Sequence, residues 1–306
     1  MNKSFSLNNY LTPIFFAVIM GSIVSPATSE AKIVEEKRSL YQNVYIMNEV
    51  GLTCMRFRKK SHNDLSQSCI FNDTPEYLVF DYYKLAMGAT FFLEDPKDML
   101  IIGLGGGVLV NRYKDVYPKA NITSVEIDDV VAEMARKYFN YTDEGEQYET
   151  HIRDGRVFVK RALRKDKRYD FILLDAFNSD YIPEHMMTKE YLEEVKGLLK
   201  PGGIIMANTF SSSALFHHES ETYHQVFGEL YQIHFDDEKT NRVIVVSNEK
   251  LPSKEKLLKK ANEYKPLLSP YGVDTLKVFD AISDEVNWDR DAKVLTDQYS
   301  PANLLK

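Results

Sequence analysis

The chain has 306 residues, of which 44% are hydrophobic and 12% aromatic, and its formal net charge is -7 at pH 7. This length and composition suit one large α/β domain with a small accessory domain. The acidic balance argues against a nucleic-acid-binding protein, because such a surface normally presents a basic stripe.

The first 31 residues differ from the rest of the chain. Leu11–Val24 is an uncharged, apolar-rich stretch, and mostly small and polar residues follow it in Ser25–Ala31. This apolar stretch is short for a membrane span but suits the core of a signal peptide. We therefore predict that residues 1–31 are a signal peptide and that the protein is exported, for example to the periplasm. An uncleaved membrane anchor and a buried helix of a cytoplasmic protein are the alternatives.

Residues 32–75 are predicted to form a small N-terminal antiparallel β domain. Ile33–Arg38 is charged and has the composition of a linker, whereas alternating apolar residues in the following segments indicate a meander. Cys54 and Cys69 lie in adjacent strands of this meander. A cross-strand disulfide between them would fit an exported protein, and a reduced pair is the alternative. The meander segments are Gln42–Glu49, Gly51–Arg58 and Ser66–Phe71.

A strand–helix–strand unit spans residues 97–128. The apolar run Met99–Ile102 leads into a glycine cluster, a helix-like stretch starts at Val108, and a second apolar strand carries Glu126 near its end. Glycines permit a sharp turn and let backbone N–H groups approach a ligand at the start of a helix. A carboxylate about twenty residues further on suits the two hydroxyls of a ribose. The unit therefore predicts a site for an adenosine derivative, with a tight turn between core elements as the alternative. The glycines are Gly103, Gly105, Gly106 and Gly107.

Residues 76–250 are predicted to form the nucleoside-binding domain. After a helix over Glu76–Leu93, strands and helices alternate, and two strands close together end the series. This order predicts an α/β fold with a Rossmann-like, mostly parallel sheet of seven strands that ends in an antiparallel pair. Residues 251–306 are predicted to be a C-terminal helical extension. The predicted strands are Met99–Gly103, Ile122–Ile127, Glu149–Ile152, Phe171–Asp175, Gly203–Asn208, Tyr231–Phe235 and Val243–Ser247.

Ligands of an open α/β sheet bind beyond the carboxyl ends of its strands. Asp154 and Gly155 follow the third predicted strand of this sheet, and Asp175 ends the fourth. Asp154 suits an adenine amino group, and its alternative role is a helix N-cap. The strand that Asp175 ends is too apolar for an incidental charge, so we predict that Asp175 faces the cleft as a general base or cation partner. A helix N-cap is again the alternative.

No metal site is predicted. His217 and His218 are adjacent rather than four residues apart, and neither they nor His224 belong to a pattern of Cys or Glu at ligand spacing.

Residues 39–247 resemble the spermidine synthase family of aminopropyltransferases. The resemblance implies a methyltransferase-type sheet beside a small β domain, and a homodimer. It also implies transfer of an aminopropyl group from decarboxylated S-adenosylmethionine to an amine such as putrescine, with release of methylthioadenosine. The stretches that carry the resemblance are Leu40–Val44, Tyr82, Gly103–Gly107, Val125–Asp128, Asp154-Gly155 and Asp175.

The same resemblance implies roles for individual residues. Glu126 would bind the ribose and Asp154 the adenine, while Asp175 would deprotonate the attacking amine. Tyr82 and Asn178 are expected to contact that amine. The remaining expected contacts with the nucleoside donor are Gln42, Gly103, Gly105, Gly107 and Gly155.

Three positions depart from the family pattern. The family has an Asp among the elbow glycines that holds the amino end of the donor, and Gly106 stands in its place. A second Asp of the family's amine site is replaced by Asn178, although Asp180 is close, and a Gln beside the tyrosine is replaced by Tyr83. We therefore expect an intact nucleoside pocket and an altered amine pocket.

The predicted function is a spermidine synthase-like aminopropyltransferase of polyamine biosynthesis, with a small amine as substrate. Its co-substrate is expected to be decarboxylated S-adenosylmethionine or S-adenosylmethionine itself, without a metal. A methyltransferase-like protein that uses S-adenosylmethionine is one alternative, because the same sheet and elbow serve both reactions. A non-catalytic nucleoside-binding relative is the other.

Overall fold

The computed structural model describes residues 32–59, 66–177, 182–235 and 241–301 of the chain. The predicted leader, residues 1–31, and the predicted amine contact Asn178 therefore lie outside the described residues. Within the described ranges, no helix is both long enough and apolar enough to cross a membrane.

Four antiparallel strands form the N-terminal sheet, in the order β1 to β4. The prediction of a linker over Ile33–Arg38 is wrong, because this stretch lies in β1 and pairs with β2 from Lys32↔Asn48 to Arg38↔Asn43. As an edge strand, β1 tolerates a row of charged side chains. Two of these side chains form ion pairs with the helix Asp129–Tyr138, Glu35 with Lys137 and Lys37 with Glu133. The strands are β1 Lys32–Arg38, β2 Asn43–Glu49, β3 Leu52–Arg56 and β4 Ser68–Phe71.

A disulfide joins Cys54 of β3 to Cys69 of β4, which are direct partners in the strand register. Both cysteines are buried, together with Tyr45 and Met47 of β2. The covalent bond thus lies in the small core of the N-terminal sheet, one residue from Ser68.

The helix predicted over Glu76–Leu93 is shorter in the structure. It consists of α1, Asp81–Ala86, continued by a 3₁₀ turn over Met87–Phe91. The residues before it are held in a different conformation, because Leu78 forms a bridge with Ile70 and its N–H donates to the carbonyl of Tyr271.

The large sheet has eight strands in the order β12-β10-β11-β9-β8-β5-β6-β7, so the α/β fold is confirmed with one strand more than the seven predicted. Strands β5 to β9 are parallel, and β11 runs antiparallel to β9. The additional strand, β12, comes from the C-terminal region that was predicted to be only helical, and it pairs with β10. The strands are β5 Asp98–Ile102, β6 Asn121–Glu126, β7 Tyr148–Ile152, β8 Tyr169–Leu174, β9 Leu199–Phe210, β10 Tyr231–Ile233, β11 Asn241–Ser247 and β12 Ile282–Ser283.

Helices cover both faces of this sheet. Apolar residues of α2 and α3 pack in one core with α1 and α7, and those of α4, α5 and α6 pack in a second core on the opposite face. The change of face falls between β5 and β8, which are neighbours in the sheet, and such a switch point opens a crevice at the strand ends. The remaining helices are α2 Val108–Val116, α3 Asp129–Tyr138, α4 Gly155–Arg164, α5 Lys189–Lys196, α6 Phe216–Phe227, α7 Lys254–Leu268 and α8 Thr275–Asp280.

Candidate active site

A pocket opens at the carboxyl ends of β5, β6 and β8, and residues of the N-terminal sheet and α1 complete its wall. Eight of the ten predicted site residues line it; Gly107 does not line it, and Asn178 is outside the described residues. The eight are Gln42, Tyr82, Gly103, Gly105, Glu126, Asp154, Gly155 and Asp175.

Two glycines of the elbow are required by its geometry. Gly103 has φ of +100°, and a Cβ there would lie 2.2 Å from the carbonyl oxygen of Asp175. Gly107 has φ of +70° and is the N-cap residue of α2, where a Cβ would lie 2.5 Å from the ring of Tyr141. Positive φ and close approach of this kind exclude other residues. Gly107 therefore lets the elbow pack against Tyr141, away from the pocket lining. Gly103 lets the end of β5 approach Asp175, the residue after β8, at the pocket floor.

Glu126 is fixed by backbone groups at the end of β6. Its Oε2 accepts the Leu104 N–H of the elbow, and its Oε1 accepts the Asp128 N–H, both at 3.0 Å. Burial raises the pKa of Glu126, and these backbone donors oppose the rise. The carboxylate is thus held at one orientation, facing the pocket beside the elbow.

Gln42 is positioned by a serine that the sequence analysis did not single out. Ser39 Oγ accepts the N–H groups of Tyr41 and Gln42, both at 3.0 Å, and donates to Asp128 Oδ2 at 2.6 Å. Asp128 in turn caps α3 by accepting the Val130 N–H. The turn that carries Gln42 is therefore tied to the end of β6, close to Glu126.

Asp154 is the N-cap of α4, as the alternative interpretation expected, and its contact with adenine stays a prediction. Its Oδ1 accepts the Val157 N–H at 2.8 Å as the N-cap of α4, and the residue also lines the pocket. Its other oxygen, Oδ2, accepts from His185 Nε2 at 3.0 Å. The sequence analysis missed His185, since a lone histidine in the loop after β8 carries no motif.

Asp175 lies directly after β8 at the floor of the pocket. The Asn208 amide donates to its Oδ1 at 2.9 Å, and Asn241 donates to the amide oxygen of Asn208 at 3.0 Å. Burial raises the pKa of Asp175 to about 7; the Asn208 bond opposes this shift, and the charge of Glu126 adds to it. A carboxyl group with this pKa exchanges a proton readily at neutral pH, as a general base requires.

Aromatic side chains surround the Asp175 side of the pocket. The Tyr82 ring lies 4.4 Å from that of Tyr83, between centroids, and Phe177 beside Asp175 contacts Phe210 edge-on at 5.1 Å. Burial and the charge of Asp175 raise the pKa of Tyr82 well above its ordinary value, so its hydroxyl stays protonated. This side of the pocket thus offers one carboxyl group and a neutral hydroxyl among aromatic rings.

The space beside Gly106 is filled. A Cβ at this position would lie 2.8 Å from the Phe139 ring and 2.9 Å from Ser68 Cβ. The Gly106 N–H donates to Ser68 Oγ at 2.8 Å, and both neighbours are buried. The N-terminal sheet and α3 therefore occupy the place that an acidic side chain of the elbow would need.

The histidines of α6 bind the C-terminal segment of the chain. His218 Nδ1 donates to the Lys293 carbonyl at 2.7 Å, and His217 Nδ1 accepts the Asp289 N–H at 3.0 Å. No group of three or more His, Cys, Asp or Glu side chains in the described ranges is placed to hold a metal ion.

Comparison with known proteins identifies the relatives of this chain. Residues 82–238 match the spermine/spermidine synthase domain. A polyamine aminopropyltransferase of Vibrio vulnificus is 39% identical over 295 residues, which cover 96% of this chain and 98% of the relative.

Solved structures show the same fold. A probable spermidine synthase of Corynebacterium glutamicum superposes with a TM-score of 0.64 at 20% identity, over 84% of this chain and 97% of that one. Human methyltransferase-like protein 13, solved with SAH, gives 0.55 at 22% identity, over 74% and 99%. The predicted methyltransferase-type fold is confirmed. The family predicted from the sequence is also confirmed: this chain belongs to the spermine/spermidine synthase family and is a transferase of the polyamine aminopropyltransferase type.

Proposed function

We propose that the protein transfers the aminopropyl group of decarboxylated S-adenosylmethionine to a putrescine-like amine, with Asp175 as the base. The observation that carries this proposal is the carboxyl group of Asp175, whose pKa is raised to about 7 in the same pocket as Glu126 and Asp154. The relative from Vibrio vulnificus bears the name of this activity.

The chemical step needs little from the protein beyond position and proton removal. The nitrogen lone pair of the amine attacks the propyl carbon bonded to the sulfonium sulfur, and a C–N bond forms. The C–S bond breaks, and its electron pair neutralises the sulfonium, which leaves as methylthioadenosine. The lone pair becomes available when the bound ammonium group gives one proton to Asp175, and the product nitrogen keeps its two remaining protons as a cation. Because the sulfonium is already an activated leaving group, alignment of the two substrates supplies much of the remaining rate enhancement.

The nucleoside half of the pocket, Glu126, Asp154 and His185, supports an adenosine donor. Glu126 Oε1 and Oε2 face the elbow at the end of β6, where two ribose hydroxyls would each find a charged acceptor. Asp154 is held by α4 and His185, and its remaining acceptor capacity suits an adenine amino group. The elbow glycines bring the backbone close to the ligand.

The acceptor half of the pocket, Tyr82, Asp175 and Asn208, supports an amine substrate. An ionised Asp175 attracts the ammonium form, and the neighbouring aromatic rings add favourable contact with a cation. The Tyr82 hydroxyl is a neutral partner that can accept from the amine. Binding and deprotonation would then use the same carboxylate.

The experiment is a donor and acceptor panel with the purified protein. Decarboxylated S-adenosylmethionine is incubated with putrescine and with a series of monoamines and diamines, and products are identified by mass. We expect one molecule of methylthioadenosine to be released for each molecule of aminopropylated amine that is formed. Absence of methylthioadenosine with every amine would refute the proposal, and binding of nucleoside without turnover of any donor would favour a non-catalytic relative.

A second candidate function is methyl transfer from S-adenosylmethionine itself. It is favoured by one observation, that Phe139 and Ser68 fill the space beside Gly106, where the family's aminopropyltransferases hold the donor's amino end with an acid. The same panel with S-adenosylmethionine as donor tests it. A methylated amine together with S-adenosylhomocysteine would establish this alternative.

We also propose that residues 1–31 act in export or membrane anchoring. The disulfide between Cys54 and Cys69 supports this location, because such bonds persist in oxidising compartments. Cell fractionation with a C-terminal tag tests it. Recovery of the protein in the cytoplasm with both thiols free would contradict the proposal.

A further inference from the structure

A charged cluster links the C-terminal segment, residues 289–299, to the nucleoside half of the pocket. Its centre is Arg156, the second residue of α4, which is buried although it carries a charge. Asp154 and Gly155, the two residues before it, line the pocket. A displacement of Arg156 would therefore be transmitted directly to pocket residues.

All five N–H donors of Arg156 are used. Nε and Nη2 bind the carboxylate of Glu194 on α5, both at 2.9 Å, and Nη1 and Nη2 bind that of Asp297 at 2.6 and 2.8 Å. The remaining donor of Nη1 binds the carbonyl of His185 at 3.1 Å. Such a double bidentate arrangement defines position and orientation in a way that a single ion pair does not.

Asp297 has further contacts with the loop before α5. Thr188, the N-cap of α5, donates its hydroxyl to Asp297 Oδ1 at 2.8 Å. The Asp297 N–H donates to Glu190 at 3.0 Å. Two residues earlier, the Leu295 carbonyl accepts the Lys189 N–H at 2.8 Å. The C-terminal segment thus binds both the backbone and the side chains at the start of α5.

An apolar contact accompanies these hydrogen bonds. Leu295 is fully buried and packs with Met187 and Leu215, while Ile182 covers the same cluster. Leu295 and Leu215 therefore pack against two residues of the 182–188 loop, Ile182 and Met187. On the pocket side, the same loop presents Pro183, His185 and Met186.

We infer that Asp297 is a positioning residue for the nucleoside half of the pocket. Through Arg156 and Thr188 it fixes the 182–188 loop, so that His185 meets Asp154 and the wall of the nucleoside site is formed in advance of binding. This inference rests on the proposed function for the identity of the ligand. Its structural part, the coupling of Asp297 to the loop, does not depend on it.

The test compares Asp297→Asn with Asp291→Asn in the full chain. Asp291 lies in the same segment, and its side chain makes no hydrogen bond or ion pair with another residue of the described ranges. The Asp297 side chain is 43% exposed, so its replacement by an amide is compatible with folding. Hydrogen–deuterium exchange of β11 serves as an internal control for the fold.

We expect Asp297→Asn to speed amide exchange in the 182–188 loop and to weaken methylthioadenosine binding, measured by calorimetry, by about tenfold. The KM for the donor rises by a similar factor, while kcat and the KM for the amine stay as in the wild type. Asp291→Asn changes none of these quantities. A purely structural role would lower the unfolding midpoint without this split between donor and amine.

Unchanged loop exchange or unchanged nucleoside affinity in Asp297→Asn would overturn the inference while the wild type still binds methylthioadenosine. Failure of the wild type to bind this nucleoside would instead refute the proposed function, and with it the assigned purpose of the contact. Faster loop exchange in Asp297→Asn would in that case still support the coupling of Asp297 to the 182–188 loop.

Discussion

The two halves of the pocket differ in how their carboxylates are satisfied. In the nucleoside half, each carboxylate has two partners: Glu126 accepts two backbone N–H groups, and Asp154 accepts one backbone N–H and His185. In the acceptor half, Asp175 accepts from the Asn208 amide among aromatic side chains. Burial raises the pKa of both Glu126 and Asp175, but backbone donors oppose the rise at Glu126, whereas the Asn208 amide opposes it at Asp175. A carboxylate held by several donors is suited to recognition, and a carboxyl group with a pKa near 7 is suited to proton transfer.

The largest expected effect is on turnover in Asp175→Asn. The amide keeps the shape of the side chain and its contact with Asn208 but cannot take a proton from the amine. We expect kcat to fall by about 10³-fold, within the range typical of general-base removal. Methylthioadenosine affinity, measured by calorimetry, should stay within about threefold of the wild type. A parallel loss of nucleoside binding would show that the two halves do not act separately.

Glu126→Gln is the corresponding change in the nucleoside half. It replaces one charged oxygen by an amide nitrogen, which cannot accept the Leu104 or Asp128 N–H. We expect nucleoside affinity to fall about 30-fold, equivalent to about 2 kcal/mol for the loss of charge-assisted hydrogen bonds. The KM for the amine, measured at saturating donor, should not change. A rise in that KM without loss of nucleoside affinity would contradict the assignment of Glu126.

The same Asp175→Asn protein is expected to be more stable than the wild type at pH 8. The pKa of Asp175 is about 7 in the folded protein and near 3.8 in the unfolded chain. Between these two pH values the native state therefore binds one proton more than the unfolded state. The free energy of unfolding of the wild type therefore decreases as pH rises from about 4 to about 7, and the full cost is present above that range. Removing the charge should add up to about 4 kcal/mol at pH 8 and little at pH 4. Urea unfolding at the two pH values measures this, and equal gains at both would refute it.

Much of the nucleoside half could be predicted because its signals are local. The apolar run before the elbow, the glycines and Glu126 lie within one strand–helix–strand unit, and glycine is the residue type that readily adopts the positive φ found at Gly103 and Gly107. The predicted boundaries of β5 and β6 accordingly differ from the observed ones by only one residue at each end. Asp154 and Asp175 were expected at the carboxyl ends of the third and fourth predicted strands, and the structure brings both into one pocket.

The features that were missed depend on contacts between residues distant in the sequence. The charged residues of β1 resemble a linker in the sequence, because their ion-pair partners lie in α3. His185 and the contact of Arg156 with Asp297, 141 residues apart, carry no local pattern. Gly106 could be recognised as a departure, but the reason for it, the packing of Phe139 and Ser68, is visible only in three dimensions.

Gly106→Ala tests whether this departure is built into the packing. The added Cβ would approach the Phe139 ring to 2.8 Å, so neighbouring groups must shift. We expect the free energy of unfolding to fall by about 1–2 kcal/mol, as in other overpacked cores. Chemical denaturation measures the change. An unaltered unfolding midpoint would mean that the elbow has room for a side chain and that the missing acid has another explanation.

The smallest effect is expected in Asn208→Ala. It should change the pH dependence of the acceptor half and leave the nucleoside half unchanged. The Asn208 amide stabilises the charged form of Asp175, so its removal raises the pKa of that carboxyl group further. The measurement is kcat/KM for the amine at saturating donor. In the wild type it should rise with pH through about 7, because only the ionised carboxylate binds and deprotonates the amine. In the variant the same rise should occur at higher pH. Nucleoside affinity should be the same in both proteins at pH 8, since Glu126 and Asp154 keep their partners. A shift of the profile toward lower pH would mean that the titrating group is not Asp175, and the acceptor half would then need a different base.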